Sequence, residues 1–333
     1  MTWLLTGGAG YIGSHIVLSF QQAGKDVVVL DDLSSGYRAF VPDDVPLVEG
    51  SIVDPDVVAS TLDEHKITGV VHLAGYKYAG ESVKLPLHTY EQNVSGMRVL
   101  LEALIERGIH NFVFSSSSSC YGAPASDLVT EDTADVRPES PYGESKLIGE
   151  WMLRDLSTAV PEFRQTSLRY FNVVGSGPPH LADHSPHNLF PRVLKALSNN
   201  DTPAIFGDDY ATPDGTAIRD YIHVADLAEA HVMAAARFDD DLPCEALYNV
   251  GRGEGVSVRQ IMDAMARNTG IDFEPRIEPR RAGDPPRIIG SSAKIEKDFG
   301  WTATRDLDDM VASAWAAWKH QVAEHGATGV PAN

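Results

Sequence analysis

Residues 2–15 read TWLLTGGAGYIGSH: an apolar run, three glycines spaced by three (Gly7, Gly10 and Gly13), then the start of an amphipathic stretch. Counted from Gly8, the same residues also satisfy GxGxxG. The pattern is weak alone and gains force from its place between a strand and a helix. Such a turn lets backbone approach a pyrophosphate, which rests on the positive end of the helix. A plain tight turn is the alternative. A second run, residues 26–30 (DVVVL), ends at Asp31, 21 residues after Gly10. A carboxylate there accepts hydrogen bonds from an adenosine ribose and repels a 2′-phosphate, which favours NAD over NADP. Asp32 is counted with the cofactor contacts, although a solvated loop is the plainer reading.

Outward from this turn, apolar runs recur at 2–6, 26–30, 46–49, 69–73, 111–115 and 165–170. They are apolar throughout, not alternating, and so predict parallel strands buried on both faces. Between them, residues 90–107 place Val94, Met97, Leu101, Leu104 and Ile105 at helical spacing, and Gly108 follows as a stop. The pattern predicts an α/β fold with a Rossmann-like, doubly wound parallel sheet. Residues 172–187 hold two glycines and three prolines. There the chain is expected to leave the sheet and build a smaller C-terminal α/β lobe for substrate. The expected division is a nucleotide-binding domain over 1–171, to which 219–251 return, and a second lobe over most of 172–333.

The 333 residues are 43% hydrophobic and 22% charged, ordinary for a globular protein. No stretch of about 18 apolar residues is present to cross a membrane. The opening MTWLLTGG lacks a basic and then apolar leader, which predicts a cytoplasmic protein. Two cysteines, Cys120 and Cys244, are too few for a disulfide scaffold. With 27 basic and 47 acidic residues the net charge is −20, which argues against nucleic acid and anionic membranes as partners. Salt confines that field to roughly 8–10 Å, so a phosphorylated small molecule can still bind where arginines converge.

Residues 114–122, FSSSSSCYG, resemble a flexible serine linker by composition alone. Downstream, SPYGESK places Tyr142 and Lys146 four apart on one face of a helix expected to start at Ser140 and Pro141. An ammonium near a phenol is expected to lower the phenol pKa from about 10 and make Tyr142 a general base. A chance pair on a surface helix is the alternative.

At this point the chain resembles the extended short-chain dehydrogenase/reductase family and, within it, the UDP-glucose 4-epimerases. The resemblance rests on TGGAGYIGSH, LDDLSSG, LAGYKYAGES, the Asn93 helix, FSSSSSCYG, SPYGESK, LRYFNVVG, SPHNLFP, AIFGDDYATPDGTAIRDYIHV, YNVG and RRAGDPP, spread over nearly the whole chain. It implies an NAD-dependent isomerase that oxidises a UDP-hexose at C4, holds a 4-keto sugar and returns the hydride to the opposite face. Ser117, Tyr142 and Lys146 are the implied catalytic residues, so the serine tract is an active-site edge. Cys120, where the family has Val, reads as buried filler. Family dehydratases carry Asp and Glu where Ser118 and Ser119 stand, which argues against dehydration.

For the cofactor, the resemblance implies Gly7, Gly10, Tyr11, Ile12, Gly13, Asp31, Ser51, Ile52, Leu73, Ala74, Gly75, Lys77, Asn93, Tyr142 and Lys146. Ser51 replaces an aspartate that commonly meets adenine. For the substrate it implies Lys77, Ser117, Tyr142, Asn172, Asn188, Leu189, Ala204, Phe206, Arg219, Arg281 and Asp284. Arg219 and Arg281 would clasp the diphosphate. Asn172 as a loop cap, Phe206 as core and Arg219 paired with Asp220 stay open as structural alternatives. His180, His184 and His187 lack a second ligand set; no metal is expected, and a solvated loop is. The family also implies a homodimer through residues 87–107 and 142–156. Epimerases of UDP-pentoses, UDP-uronates or UDP-N-acetylhexosamines, and a non-catalytic NAD sensor, are the alternatives. Ile288, near the position that gates sugar bulk, is of intermediate size and does not choose among them.

Overall fold

Successive strand residues point to opposite faces, and in Trp3-Leu4-Leu5 all three side chains are wholly buried, so both faces of the first strand must be covered. The computed structural model describes residues 1–281 and 285–326. In it β1 (Thr2–Thr6), β2 (Asp26–Asp31), β3 (Leu47–Glu49), β4 (Gly69–His72) and β5 (Asn111–Ser117) alternate with α1 (Tyr11–Gln22), α2 (Pro55–Glu64), α3 (Ala79–Ser82), α4 (Pro86–Tyr90) and α5 (Gly96–Glu106). Then come β6 (Leu128–Val129), α6 (Pro141–Ala159), β7 (Arg164–Tyr170), β8 (Asn172–Val174), α7 (Leu189–Ser198), β9 (Ala204–Phe206), β10 (Ile218–His223) and α8 (Val224–Asp239). The rest holds β11 (Leu247–Val250), β12 (Gly255–Ser257), α9 (Val258–Thr269), β13 (Arg276–Glu278), β14 (Arg287–Gly290), α10 (Ala293–Phe299) and α11 (Leu307–His325).

Among the described residues, seven strands form one parallel sheet in the order β11-β7-β5-β4-β1-β2-β3. On one face Trp3, Leu5, Ile16, Phe20, Leu227 and Ala234 pack together, drawing in α1 and α8. On the other, Leu4, Val28, Leu100, Leu104, Phe112 and Leu153 join α2, α5 and α6. The order reverses between β1 and β4, which opens a crevice beyond their C-terminal ends. A second sheet, β12-β10-β14-β6 with β8 on β10, and the pair β13-β9 lie beside a core of Phe190, Leu194, Met265, Val311 and Trp318.

The apolar runs become strands within two residues of the expected ends. β5 extends to Ser117 because Ser115, Ser116 and Ser117 stay in register with Leu168, Arg169 and Tyr170 of β7. The segment expected as a helix over 90–107 is α4, a π-helical turn at Glu91–Ser95 and α5 in series. Residues 219–251 do not all go to the first sheet. Its share starts at Val224 with α8 and β11, whereas β10 pairs with β8, β12 and β14 in the second sheet.

Four histidines are buried in this framework: His15, His72, His223 and His231. Burial lowers them to about 4, 3, 4 and 4 respectively. The folded chain therefore stays unprotonated there, while the unfolded chain binds protons near pH 6.5. Their contribution to stability is complete above pH 6.5 and is lost as pH falls towards the folded values. Asp31, Asp183 and Asp220 are raised by burial, Asp220 to about 6, and act in the opposite sense. The histidines win near neutrality. Urea unfolding should lose about 2 kcal/mol between pH 7 and pH 6; a flat or rising profile would contradict the buried neutral rings.

Candidate active site

The crevice is floored by the glycine turn. Gly7 has φ +76, and a Cβ there would lie 2.7 Å from the Ala74 amide nitrogen; on Gly13 it would lie 2.1 Å from the Gly7 carbonyl oxygen. Both positions exclude any side chain, so backbone alone lines the turn. Gly10 caps α1 without a side chain, and the first turn (Tyr11, Ile12, Gly13) carries no acidic residue. Its amides are thus open to an anion. The Leu73 and Ala74 amides both donate to the Thr6 carbonyl, which brings the segment through Gly75 against the turn. Asp31 lies on the crevice wall with one carboxylate oxygen on the Ala9 amide and the other on the Leu33 amide, both at 2.9 Å. A second lone pair on each oxygen remains for a diol. These residues fit a dinucleotide.

Other expected cofactor residues are placed as follows. Asp32 is exposed and closes its own turn on Ser34. The Ser51 hydroxyl accepts from the Val53 amide, and Ile52 is core. Lys77 is solvent-accessible yet hemmed in by protein; that confinement lowers its pKa, and the charges of Asp183 and Asp31 oppose the shift. Asn93, in the π-helical turn, accepts from the Tyr76 amide at 2.6 Å and donates to the Tyr76 carbonyl and the Ser145 hydroxyl. Its amide is fully engaged in joining the β4 loop to α6.

The serine tract is the end of β5 followed by a 3-10 turn at Ser118–Tyr121. Ser140 caps α6 by accepting from the Gly143 amide, and the Tyr142 amide donates to Ser82 of α3. These anchors bring Tyr142 to the Ser117 side of the crevice, where the Ser117 hydroxyl favours the ionised phenol. The Ser117 oxygen accepts from the Ser119 amide at 3.1 Å, which leaves its own proton to donate. Lys146 is 6% exposed; its ammonium donates to the Ser115 carbonyl at 2.8 Å and stands 6.0 Å from the Tyr142 ring centre.

The expected lowering of the phenol pKa is not what this arrangement gives. Burial pushes Tyr142 up to about 12, against the Ser117 hydrogen bond, and pushes Lys146 down to about 8. Loss of water outweighs one ammonium 6 Å away. Cys120 is wholly buried, and burial raises its thiol to about 12.

A third residue on the same face of α6 was legible as the next step after Tyr142 and Lys146 but was missed: Glu150. It takes both branches of Arg169 and the Ser116 hydroxyl in a buried network. Behind the strand, His231 donates from Nδ1 to the Leu227 carbonyl and meets the Ser115 hydroxyl at Nε2. All three buried serines of β5 are thereby committed.

A cleft of about 580 Å³ opens in the second lobe, bringing together Leu189, Ala204, Phe206 and Arg281 with Arg192 and Arg276. Arg281 lies over the Phe206 ring at 4.3 Å and Arg192 at 5.5 Å, so Phe206 is a lined wall, not core. Arg192 was not expected; it sits one turn after Leu189 in α7. Asn188 lies just outside, donating to Asp183 at 2.8 Å, and Asn172 donates to the Asp220 carbonyl. The Arg219 side chain donates to the Ile218 carbonyl. The Asp220 carboxylate turns inward onto the amides of Arg252, Gly253 and Gly290. Asp284 lies outside the described residues. His184 is not solvated: its ring stacks on Phe40 at 5.8 Å and meets Tyr37 edge-on at 5.3 Å. Among the described residues no cluster of metal-ligating side chains occurs.

Fold and crevice together define a dinucleotide-dependent enzyme, with Tyr142, Lys146 and Ser117 set together beside the crevice. The chain belongs to the NAD dependent epimerase/dehydratase family, whose model matches residues 3–251. It is 40% identical to the UDP-glucose 4-epimerase of Erwinia amylovora, over 96% of this chain and 98% of that one. It is also similar to the crystal structure of UDP-glucose 4-epimerase from Brucella ovis in complex with NAD (38% identity, TM-score 0.90, 94% of this chain and 97% of that one). The enzyme from Bifidobacterium longum, in complex with NAD+ and UDP, matches at 35% identity with TM-score 0.88, over 96% and 98%.

Proposed function

We propose that the protein interconverts UDP-glucose and UDP-galactose, with NAD as a cofactor that is regenerated within each turnover. The observation that carries this reading is the gathering of Tyr142, Ser117 and Lys146 beside the glycine crevice, with Lys146 buried on the Ser115 carbonyl and 6.0 Å from the Tyr142 ring centre. When bound, the dinucleotide supplies through its nicotinamide an acceptor that takes hydride from the sugar's C4 and returns it to the other face. Gly7, Gly10 and Gly13 with Tyr11 and Ile12 hold the pyrophosphate on backbone amides, and Asp31 takes the adenosine ribose. Lys146 and Lys77 meet the second ribose.

Tyr142 takes the proton of the sugar 4-hydroxyl. A 4-keto sugar remains in the cleft, and Ser117 donates its free proton to whichever oxygen, phenolate or ketone, bears the charge. The ketone turns its other face, so that hydride returned there inverts C4, and Tyr142 gives the proton back to the C4 oxygen. The uridine diphosphate is the tether: Arg281, Arg192 and Arg219 hold its phosphates, while Phe206, Ala204, Leu189, Asn188 and Asn172 surround uridine and the first sugar oxygens. Binding energy placed on this remote handle leaves the hexose free to rotate. Ser118 and Ser119 offer no carboxyl group to eliminate water, which disfavours dehydration.

Purified protein should convert UDP-galactose to UDP-glucose without added cofactor. Tyr142→Phe should cut turnover by about 10²–10⁴-fold while NAD stays bound, because only the proton acceptor is lost. Near-normal turnover in that variant, or no conversion by the wild type with either hexose, would sink the assignment.

A homodimer through α4, α5 and α6 completes the proposal. Leu87 is 82% exposed on α4 and Trp151 48% exposed on α6, a pair of large apolar side chains that a partner would cover. Sedimentation should give a dimer, and Leu87→Asp combined with Trp151→Asp a monomer; a wild-type monomer at micromolar concentration would refute it.

A further inference from the structure

The segment 175–188, between β8 and α7, departs from the second sheet and is fastened to the first lobe at every station along the dinucleotide crevice. At the pyrophosphate seat, the Tyr11 hydroxyl donates to the Gly175 carbonyl at 2.6 Å and the Gly177 amide donates to His15 at 2.9 Å. On the adenosine side, His184 packs against Tyr37 and Phe40. Tyr37 is itself pinned to the glycine turn, its amide donating to the Ala9 carbonyl at 2.9 Å. On the side of the β4 loop, His187 meets Tyr78 at 5.0 Å. Asp183, between these points, holds Ser185 and Asn188 and exerts its charge on Tyr11, Tyr37, Tyr78 and Lys77.

These contacts trace a path over the N-terminus of α1 to the Asp31 wall and back towards Lys77. We propose that residues 175–188 are a strap across the dinucleotide crevice and that His184, set against Tyr37 and Phe40, is its clasp, a positioning residue that keeps the cofactor from leaving between turnovers. The inference rests on the NAD-dependent reading above. It accounts for a need that the glycine turn alone does not meet, because a cofactor regenerated in each cycle must outlast many departures of substrate. The strap runs directly into Asn188 and Leu189 at the edge of the sugar-nucleotide cleft, so closing it over the cofactor leaves the substrate's own opening in the second lobe. Release of the cofactor then requires undoing the His184 contacts with Tyr37 and Phe40 and the His187 contact with Tyr78 together.

The test loads wild-type, His184→Ala and His184→Phe proteins with NAD and follows its dissociation after dilution into a nicotinamide-nucleotide-free buffer. The strap predicts release about tenfold faster or more from His184→Ala, the worth of two lost aromatic contacts, and release near the wild-type rate from His184→Phe, which keeps the ring. Equal release from wild type and His184→Ala overturns the proposal, as does equally fast release from both variants. Amide hydrogen exchange in the unaltered protein gives a second reading independent of any variant: NAD should slow exchange across 175–188, and unchanged exchange there overturns the strap. Wild-type protein that takes up no NAD defeats the cofactor reading itself, a result distinct from wild type and His184→Ala holding NAD equally well.

Discussion

One hydrogen bond organises the site: the Lys146 ammonium on the Ser115 carbonyl, 2.8 Å long and buried between α6 and the end of β5. A lysine in this position loses its hydration, and burial lowers its pKa to about 8, so it is held by a carbonyl, a ring face at Phe114 and little else. The bond locks the helix against the strand one turn below Tyr142. That lock sets the phenol on Ser117. The strand in turn cannot shift, because Ser115 is held by His231, Ser116 by Glu150 and Ser117 by the Ser119 amide.

The same burial governs the chemistry. A phenol pushed up to about 12 holds almost no phenolate at neutral pH, and the lysine that shares its face does not offset the lost water. The proton transfer proposed for Tyr142 therefore needs positive charge to enter the crevice beside it. Under the proposed function, this need joins proton transfer to occupancy by the cofactor, whose ring would supply both the charge and the hydride acceptor. An overall charge of −20 does not conflict with a doubly anionic substrate, because Arg192, Arg276 and Arg281 gather within one cleft.

Features written into local spacing were legible in the sequence. The glycine turn, Asp31 and the Tyr142–Lys146 pair depend on one loop or one helix face, and each sits where its period placed it. The π-helical turn at Glu91–Ser95 was not legible, since one extra residue per turn hardly disturbs an apolar pattern read at 3.6. Neither was the sheet to which β10 belongs, because Ile218–His223 (IRDYIH) mixes charged and apolar residues and carries no mark of either sheet. Arg192 and His184 take their roles from segments far away in the chain, the Phe206 strand and the turn at Arg38–Phe40. The burial that raises Tyr142 in the cofactor-free chain was not legible for the same reason: the distance to Lys146 comes from spacing, but the loss of water comes from tertiary packing.

The account is tested most directly by the titration of Tyr142 itself, followed through the ring carbon bearing oxygen in tyrosine-labelled protein, with Tyr142→Phe identifying the signal. The NAD-free protein should titrate well above 10, and the NAD-loaded protein should titrate well below that value. A midpoint near 10 in both forms would show that neither burial nor the cofactor's charge controls this phenol.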